Sequence, residues 1–252
     1  MSEPSAPVFE IFSAIQGEGI LVGTRQVFVR LCGCNRHCRF CDTREACVEP
    51  PATCLVEETA GSRRFARWGN PLDAALALQA IDGLDAPRGL HHSVSFTGGE
   101  PLLHPDFIAA LCPSLRDRGL GAYLETNGTL PGELERVIGG IDHVAMDVKM
   151  ESATGEPTPW EAHRRFLEVA AAAAVQVKVV VVADTPDAEL DRLAALVAAV
   201  EPATPVVLQP VTAVSGVRTP SPMRVLAMHA TLAARLPDVR VIPQVHKLMG
   251  QK

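Results

Sequence analysis

Three cysteines stand close together in the segment CNRHCRFC, at positions 34, 38 and 41. Thiolates are soft ligands that select zinc, copper(I) or iron–sulfur clusters. A structural zinc site takes four ligands, and His37 could supply the fourth. A four-iron cluster held by Cys34, Cys38 and Cys41 leaves one iron open, and an open metal position is typical of catalytic sites. The spacing favours such a cluster and leaves a structural zinc site as the alternative.

The other four cysteines of the chain are interpreted as ordinary thiols. Cys47, Cys54 and Cys112 are expected in the core or in loops, where free cysteines act as small apolar side chains. Cys32 is the rival metal ligand, because it stands at a predicted strand end. Exchanging it with Cys34 would change the spacing of the ligand set.

The composition and charge of the chain argue against several classes of function. The chain has a net charge of −6 and a pI near 5.8, which argue against a nucleic-acid-binding surface. The first residues, MSEPS, lack the basic start and apolar run of a signal peptide, and no apolar stretch reaches the length of a membrane span. We expect a cytoplasmic protein that binds neither nucleic acid nor membranes and whose cysteines are not in disulfides.

Short β-branched runs alternate along the chain with helical patterns. Several runs are continuously apolar, as strands buried on both faces should be. The order β-α-β-α predicts a parallel sheet with helices outside, and six or more such units suggest a full or partial barrel. The predicted strands are 8–13, 26–31, 93–96, 122–125, 143–147, 176–182, 206–209 and 239–242. The predicted helices are 71–82, 105–118, 131–138, 160–174, 187–200 and 221–236.

Polar motifs follow the predicted strands, where a parallel α/β fold binds its ligands. The motifs are CNRHCRFCDT (34–43), TGGEP (97–101), ETNG (125–128), DVK (147–149), QP (209–210) and PQVHK (243–247). We expect them to converge on one rim of the barrel. Residues 44–70 interrupt the alternation of strands and helices and have no clear hydrophobic period, so we interpret them as an insertion or lid. They belong to a wider region, 44–92, that is expected to be an insertion within the domain. The whole chain, 1–252, is expected to form a single domain.

The segment CNRHCRFC matches the CxxxCxφC signature of the radical S-adenosylmethionine (SAM) superfamily, and TGGEP resembles its second motif. The resemblance implies an α/β fold, a partial (βα)6 TIM-like barrel of the radical SAM type with an insertion after the cluster loop. It also implies a [4Fe-4S] cluster on the three cysteines, whose open iron binds SAM, and cleavage of SAM to a 5′-deoxyadenosyl radical. The SAM-binding residues that it implies are Phe40, Cys41, Asp42, Gly99, Asp147, Val148, Lys149, Gln209 and Pro210.

The N-terminal stretch FEIFSAIQGEGILVGTRQVFVRLCGCNRHCRFCDT and the C-terminal IPQVHKLMG resemble the 7-carboxy-7-deazaguanine synthase family. The resemblance implies a lyase that converts 6-carboxy-5,6,7,8-tetrahydropterin to 7-carboxy-7-deazaguanine with loss of ammonia, in queuosine or 7-deazapurine biosynthesis. It does not cover 44–92 or the middle helices. The chain also has Asp147-Val148 where many members have Ser-Pro, which leaves those two positions open.

The same resemblance implies roles for individual residues. Glu125 and His246 are the implied catalytic residues, which move protons, and Thr43 is the implied Mg²⁺ ligand. The implied substrate-binding residues are Ile15, Gln16, Gly17, Arg30, Thr97 and Lys252. Structural alternatives are a solvated carboxylate for Glu125, a structural histidine for His246, a helix N-cap for Thr43 and a surface charge for Arg30. A homodimer and an electron donor such as flavodoxin or ferredoxin are further expectations.

Two other functions are compatible with the cysteine segment. An activase of a glycyl-radical enzyme also carries CxxxCxxC, but many activases have additional ferredoxin-like cysteine sets, which this chain lacks. A non-catalytic zinc-binding protein is the alternative outside enzymes. The convergence of polar motifs on one rim favours an enzyme, since a scaffold would not require it.

Overall fold

The computed structural model describes residues 3–213 and 216–251, in which strands and helices alternate. The strands are β1 (Ser5–Ala6), β2 (Val8–Ile15), β3 (Arg25–Leu31), β4 (Thr53–Glu57), β5 (Phe65–Gly69), β6 (Leu72–Asp73), β7 (Ser93–Gly98), β8 (Gly121–Thr126), β9 (His143–Val148), β10 (Ala174–Val181), β11 (Val206–Pro210) and β12 (Val239–Val241). The helices are α1 (Ala74–Leu84), α2 (Pro105–Asp117), α3 (Pro131–Val137), α4 (Glu151–Thr154), α5 (Trp160–Ala170), α6 (Asp187–Val200), α7 (Pro222–Ala233) and α8 (Val245–Leu248). Short 3₁₀ turns cover Arg44–Cys47, Pro101–Leu103 and Ile138–Gly140.

One mixed sheet runs through the fold, in the order β12-β11-β10-β9-β8-β7-β3-β2-β4-β5. The strands from β12 to β3 are all parallel, whereas β2 is antiparallel to β3. Between successive parallel strands the chain returns through α1, α2, α3, α5, α6 and α7, which makes six βα units. The predicted partial (βα)6 barrel is therefore confirmed. The sheet ends at β12 and β5, so the barrel is open on that side.

The strand β10 shows how the barrel acquires an apolar outside and a polar inside. Val177, Val179 and Val181 are fully buried in the main apolar core. Gln176 and Lys178 face the other way, because successive side chains of a strand alternate, and both line the cavity inside the barrel. The sequence AVQVKVVV thus builds the core and one wall of the site at once.

The helices cover the outer face of the sheet with apolar stripes. In α6 the side chains of Leu190, Leu193, Ala194 and Val197 are fully buried, at the i, i+3, i+4, i+7 spacing of an amphipathic helix. They belong to the same core as the outward-facing valines of β10. Burial of one Leu or Val side chain stabilises a fold by about 1.5–3 kcal/mol. This packing holds the strand ends, and the polar side chains that they carry, in place.

Residues 53–69 fold as a β-hairpin, which the sequence analysis did not predict. Because β4 pairs with β2 and β5 pairs with β4, the hairpin extends the sheet. Val56 packs into the core, and the buried carboxylate of Glu57 accepts hydrogen bonds from the backbone N–H groups of Ser13 at 2.9 Å and Arg63 at 2.8 Å. The segment is a regular part of the sheet where we had expected an irregular lid.

The other predicted elements agree with the structure to within a few residues. The largest difference is at the predicted helix 160–174, since α5 ends at Ala170 and β10 begins at Ala174. Within the described residues, no helix is both long enough and apolar enough to cross a bilayer.

Candidate active site

A cavity of about 460 Å³ lies at the carboxyl ends of the parallel strands. Its size is within the range of small-molecule sites. The predicted convergence of the strand-end motifs is thus observed in the structure. The predicted residues that line the cavity are Ile15, Gln16, Gly17, Arg30, Cys34, Cys38, Phe40, Cys41, Asp42, Thr43, Thr97, Gly99, Glu125, Asp147, Lys149, Gln209 and His246.

Two other predicted residues, Val148 and Pro210, do not line the cavity. Val148 and Pro210 each follow an inward-facing residue, so the alternation of side chains along β9 and β11 directs them outwards. Val148 is buried in the apolar core. The structure therefore places neither side chain in the site. Lys252 lies outside the described residues.

The two glycines of TGGEP let this motif pack against the cysteine loop. A Cβ atom on Gly98 would lie 2.1 Å from the carbonyl oxygen of Leu31, and one on Gly99 would lie 1.9 Å from that of Gly33. The N–H of Glu100 donates to the same Gly33 oxygen at 2.7 Å. A side chain at Gly98 would collide with the backbone of Leu31, and one at Gly99 with the backbone of Gly33. Glycine is therefore required where these two protein backbones approach each other.

Glu100 is fully buried beside the cysteine loop and fixes the end of the neighbouring strand. Its carboxylate accepts hydrogen bonds from the N–H of Asn127 at 2.8 Å, the hydroxyl of Thr126 at 2.8 Å and the N–H of Leu102 at 3.0 Å. Burial raises the pKa of Glu100 to about 7, against the opposing effect of these hydrogen bonds. The residue couples the second motif to the loop after β8.

The three motif cysteines share the cavity with a fourth, Cys47. The turn Arg44–Cys47 brings its Sγ to 3.9 Å from the Sγ of Cys41. The hydrogen bonds from Cys47 lower the pKa of Cys34 and of Cys41 to about 6, whereas burial raises the pKa of Cys38. Cys47 was expected to be an ordinary thiol in the core or in a loop, and the structure places it in a loop turn that lines the cavity.

The donor set of this loop fits an iron–sulfur cluster. Cys34, Cys38 and Cys41 are free thiols partly exposed to one cavity, and cysteine thiolates are the ligands of such clusters. A cluster takes one thiolate on each of several irons, so its ligands line a space instead of meeting at one point. Within 3–213 and 216–251, no three His, Cys, Asp or Glu side chains are arranged to hold a single metal ion.

Glu125 stands near the end of β8 among uncharged donors. Its Oε1 accepts hydrogen bonds from Gln16 Nε2 at 2.7 Å and Ser95 Oγ at 3.1 Å. Its Oε2 accepts one from Thr97 Oγ1 at 2.9 Å. Gln16 Nε2 donates in addition to Gln26 Oε1 at 2.9 Å. We call these five residues the Glu125 network; it fixes the carboxylate at both oxygens.

A second wall of the cavity consists of paired charges, and we call Glu18, Lys178, Asp147 and Lys149 the ionic wall. Lys178 forms ion pairs with Glu18 and with Asp147, the second at 3.1 Å, and Lys149 Nζ lies 2.9 Å from Asp147. Burial acts to raise the pKa values of both acids, but the lysines outweigh it, so the pKa of Asp147 is lowered and that of Glu18 falls to about 2. Lys149 Nζ also stands 5.2 Å from the ring centroid of Phe40, which connects this wall to the cluster loop.

Two buried acceptors in the cavity wall have no hydrogen-bond partner in the described part of the chain. They are Asp147 Oδ1 and Gln209 Oε1, on residues only 8% and 2% exposed. Leaving a buried acceptor unpaired destabilises a fold by about 1–3 kcal/mol. The arrangement therefore suits a bound molecule that donates hydrogen bonds.

Arg30 lies in the cavity wall and is not a surface charge. Its Nε donates to Glu10 Oε1 at 2.9 Å, and its guanidinium carbon stands 5.6 Å from the ring centroid of Phe12. The side chain is 14% exposed. These contacts orient a cation beside the Glu125 network, in the same cavity.

The segment after β12 contributes His246 to the cavity and is anchored at several points. Val245 N donates to Gly17 O at 2.9 Å, and Lys247 Nζ donates to Asp42 Oδ2 at 2.8 Å. A Cβ on Gly17 would lie 2.2 Å from His246 Nδ1. Glycine at this position is therefore required for the imidazole to lie where it does.

The hairpin reaches the same segment from the other side. Arg63 Nη2, in the turn between β4 and β5, donates to Gln251 Oε1 at 2.9 Å, and the N–H of Gln251 donates to His246 O at 2.8 Å. Gln251 also lines the cavity. Residues that we had interpreted as an insertion thus contact the segment that carries His246.

Three residues that line the cavity, Glu18, Lys178 and Cys47, were not predicted as site residues. A signal was present for Lys178: it and Gln176 are polar at a period of two in an otherwise apolar strand. A lysine in such a strand is almost never buried without an acidic partner. Glu18 lies inside the IQGEG motif that carried the family resemblance. Cys47 had no local signal, because only the turn at 44–47 brings it back to the motif cysteines.

Comparisons with known proteins agree with this geometry. Residues 29–197 match the family model of the radical SAM superfamily. The chain is 40% identical over 252 residues to 7-carboxy-7-deazaguanine synthase from Geobacter sulfurreducens, with 100% of both chains covered. It is 36% identical over 264 residues to the enzyme of the same name from Methanothermobacter thermautotrophicus, with 97% of both covered.

Solved structures support the fold. The crystal structure of QueE from Escherichia coli superposes with a TM-score of 0.61 at 22% identity, over 96% of this chain and 95% of that one. A radical SAM methyltransferase from Sphaerobacter thermophilus gives 0.60 at 15% identity, over 93% and 77%. The superfamily match covers more than half of the chain, and the full-length relatives carry one name. The chain therefore belongs to the radical SAM superfamily and, within it, to the 7-carboxy-7-deazaguanine synthase family.

Proposed function

We propose that this protein is a lyase that converts 6-carboxy-5,6,7,8-tetrahydropterin to 7-carboxy-7-deazaguanine with loss of ammonia, in queuosine or 7-deazapurine biosynthesis. The observation that carries the proposal is the full-length similarity to synthases of that name. It is supported by one cavity that unites the motif cysteines, the Glu125 network and Arg30. These findings favour the lyase over a glycyl-radical-enzyme activase or a zinc-binding protein.

The cofactors follow from membership of the radical SAM superfamily: a [4Fe-4S] cluster and SAM. When bound, they supply the carbon-centred radical that takes a hydrogen atom from the substrate. Cys34, Cys38 and Cys41 would hold the cluster. Asp147 Oδ1 and Gln209 Oε1 are buried and lack donors among the described residues, so they would accept hydrogen bonds from hydroxyl or amino groups of SAM.

The Glu125 network and Arg30 would bind the pterin. A guanidinium suits a carboxylate, so Arg30 would orient the carboxylate of the substrate. Gln16 and Thr97 would meet the polar edge of the ring, and Glu125 would accept hydrogen bonds or a proton from its N–H groups. His246 would exchange a proton with the departing amine, because an imidazole can both donate and accept a proton.

Thr43 would bind Mg²⁺ together with the carboxylate of the substrate. The hydroxyl lines the cavity, 3.9 Å from Cys41 Sγ. Thr43 precedes the 3₁₀ turn as its N-cap, but its side chain makes no capping hydrogen bond, so the oxygen is available to a hard cation. The substitution Thr43→Ala is expected to abolish the stimulation of turnover by Mg²⁺. Unchanged magnesium dependence in that variant would contradict the assignment.

The remaining proposals concern partners and location. The protein would receive electrons from a flavodoxin or ferredoxin and would work in the cytoplasm. It would form a homodimer through the exposed side of α7, where Met223 and Leu226 are 82% and 70% exposed beside the edge strand β12. Homodimer interfaces are more apolar than the remaining protein surface.

The proposed function is tested with protein purified without oxygen and reconstituted with iron and sulfide. It is incubated with dithionite, SAM, Mg²⁺ and 6-carboxytetrahydropterin, and mass spectrometry follows 7-carboxy-7-deazaguanine and 5′-deoxyadenosine. Many product molecules per SAM are expected. Cleavage of SAM without product would overturn the substrate and retain the superfamily chemistry.

A further inference from the structure

Core packing does not explain the position of Cys47. Cys54 and Cys112 are buried in the apolar core, whereas Cys47 is half-buried and lines the cavity of the motif cysteines. Free cysteines that serve packing are usually fully buried. The position is that of a ligand or a polar contact.

The backbone fixes Cys47 at this place. The preceding residue, Ala46, is buried, and its carbonyl accepts a hydrogen bond from Gly33 N at 2.8 Å. Ala46 N donates in turn to Thr43 O at 3.0 Å. These bonds tie the 3₁₀ turn to both ends of the cysteine loop, so the sulfur of Cys47 is presented to Cys41, 3.9 Å away.

The thiol of Cys47 has more hydrogen-bond acceptors within reach than its single S–H group can donate to. The Sγ atom of Cys41, at 3.9 Å, and the carbonyl oxygen of Thr43, at 3.5 Å, are both within reach. One S–H group donates to one acceptor at a time. The sulfur is therefore a fourth member of a set of soft ligands in one cavity, and soft thiolates are the ligands that iron–sulfur clusters select.

We propose that Cys47 is a fourth thiolate ligand of the cluster, bound to the open iron while SAM is absent. As the iron–sulfur bond forms, the thiol gives its proton to solvent. When SAM binds, Cys47 would leave the iron, and its sulfur would take a proton from solvent and return to its contact with Cys41. No electron moves in either exchange. The fourth thiolate protects the open iron from loss between turnovers and lowers the apparent affinity for SAM.

A simpler role would leave Cys47 as a hydrogen-bond donor that orients Cys34 and Cys41 and never touches iron. The substitutions Cys47→Ser and Cys47→Ala separate the two roles. Serine keeps a donor in the same place but is a harder and poorer ligand of iron, whereas alanine removes both functions. Cys112→Ala, in the core and away from the cavity, is the matched control for loss of a thiol.

The experiment uses anaerobically reconstituted holoenzyme labelled with ⁵⁷Fe. Mössbauer spectra without SAM are expected to show four equivalent, all-thiolate irons in the wild type and in Cys112→Ala, and one distinct iron in both Cys47 variants. Oxidation with ferricyanide is expected to give the three-iron EPR signal in the Cys47 variants first. If about nine-tenths of the SAM-free protein carries the Cys47–iron bond, SAM binds about tenfold more tightly to both variants, as followed by EPR of the reduced cluster.

Three results would overturn the proposal. A distinct iron in the SAM-free wild type would show that Cys47 does not bind the cluster. If Cys47→Ser behaves as the wild type and only Cys47→Ala differs, the residue is a hydrogen-bond donor alone. If both variants assemble no cluster while Cys112→Ala does, Cys47 serves assembly and not the open iron.

Discussion

Two of the carboxylates that line the cavity, those of Glu125 and Asp147, are held in opposite ways. Glu125 is surrounded by uncharged donors: the amide of Gln16 and the hydroxyls of Ser95 and Thr97. Asp147 is surrounded by two ammonium groups, those of Lys149 and Lys178. Neutral donors position a carboxylate without adding charge, whereas lysines keep it ionised.

The difference supports the separate roles that we propose for the two walls. A carboxylate held by neutral donors can exchange hydrogen bonds with a substrate at little electrostatic expense, so the Glu125 network suits the pterin. The ionic wall depends on complete pairing, because removing one partner leaves an uncompensated buried charge. Its contact with Phe40 places it beside the cluster loop, where it suits SAM.

The largest effect on activity is expected from Glu125→Gln. The substitution keeps the shape but replaces one of the two acceptor oxygens by an amide N–H₂ that faces other donors, and it removes the carboxylate that can take a proton. We therefore expect kcat to fall by about 10²–10⁴-fold, as for loss of a general acid–base group. Mass spectrometry of 7-carboxy-7-deazaguanine measures it, with 5′-deoxyadenosine and iron content expected to persist. Glu133→Gln, at an exposed carboxylate of α3, is the control. Equal turnover in the two variants would remove Glu125 from the mechanism.

The largest effect on stability is expected from Lys178→Met. It leaves Glu18 and Asp147 buried without their shared cation, which should lower the free energy of unfolding by about 3–5 kcal/mol. Lys247→Met is the matched control: its ion pair with Asp42 is about one-third exposed on both sides, at 32% and 39%, so its loss should change stability by about 0–1 kcal/mol. Urea unfolding measures both. If the two substitutions lower the free energy of unfolding by similar amounts, the ion pairs of Lys178 contribute no more to stability than an exposed surface pair does.

These two walls were not equally visible in the sequence. The strand-end motifs predicted Thr97 and Glu125 because parallel strands end on one rim, and the family resemblance predicted Gln16. Lys178 lies inside a strand, so no strand-end motif points to it, and its signal is the weaker one of a polar period of two that it shares with Gln176. Because side chains alternate along a strand, the side chain of Val148 points away from the cavity that the preceding residue, Asp147, lines.

The fold was predictable where the local pattern and the final packing agree. The apolar runs around Val177 and the helix stripe around Leu193 give strand and helix directly. The hairpin at 53–69 was missed because its strands are short and depend on pairing with β2, distant in sequence. Cys47 was missed for a similar reason: a turn, not a spacing, returns it to Cys41.

The dependence of the free energy of unfolding on acidic pH should also differ between the two walls. The pKa of Glu18 is lowered from 4.5 to about 2, so the stability it contributes is present above pH 4.5 and is lost as the pH falls towards 2; the full loss is about 3 kcal/mol. Without Lys178, burial alone would raise this pKa, so Lys178→Met should lose less stability on acidification. Urea unfolding of the cluster-free chain from pH 6 to 3 measures this, since acid destroys iron–sulfur clusters. Glu125→Gln should retain the wild-type slope; a flattened slope there would mean that acid sensitivity does not arise in the ionic wall.

The smallest effect concerns the link between the ionic wall and the cluster loop. Phe40→Leu removes the ring that faces Lys149 Nζ at 5.2 Å. A cation–π contact of this kind contributes about 0.5–1 kcal/mol, so the Kd for SAM should rise about two- to fivefold, measured by EPR titration of the reduced cluster. Phe40→Tyr keeps an aromatic face and should bind SAM as the wild type does. If leucine and tyrosine at position 40 give the same Kd, the ring serves only to fill space, and the ionic wall acts on SAM without the cluster loop.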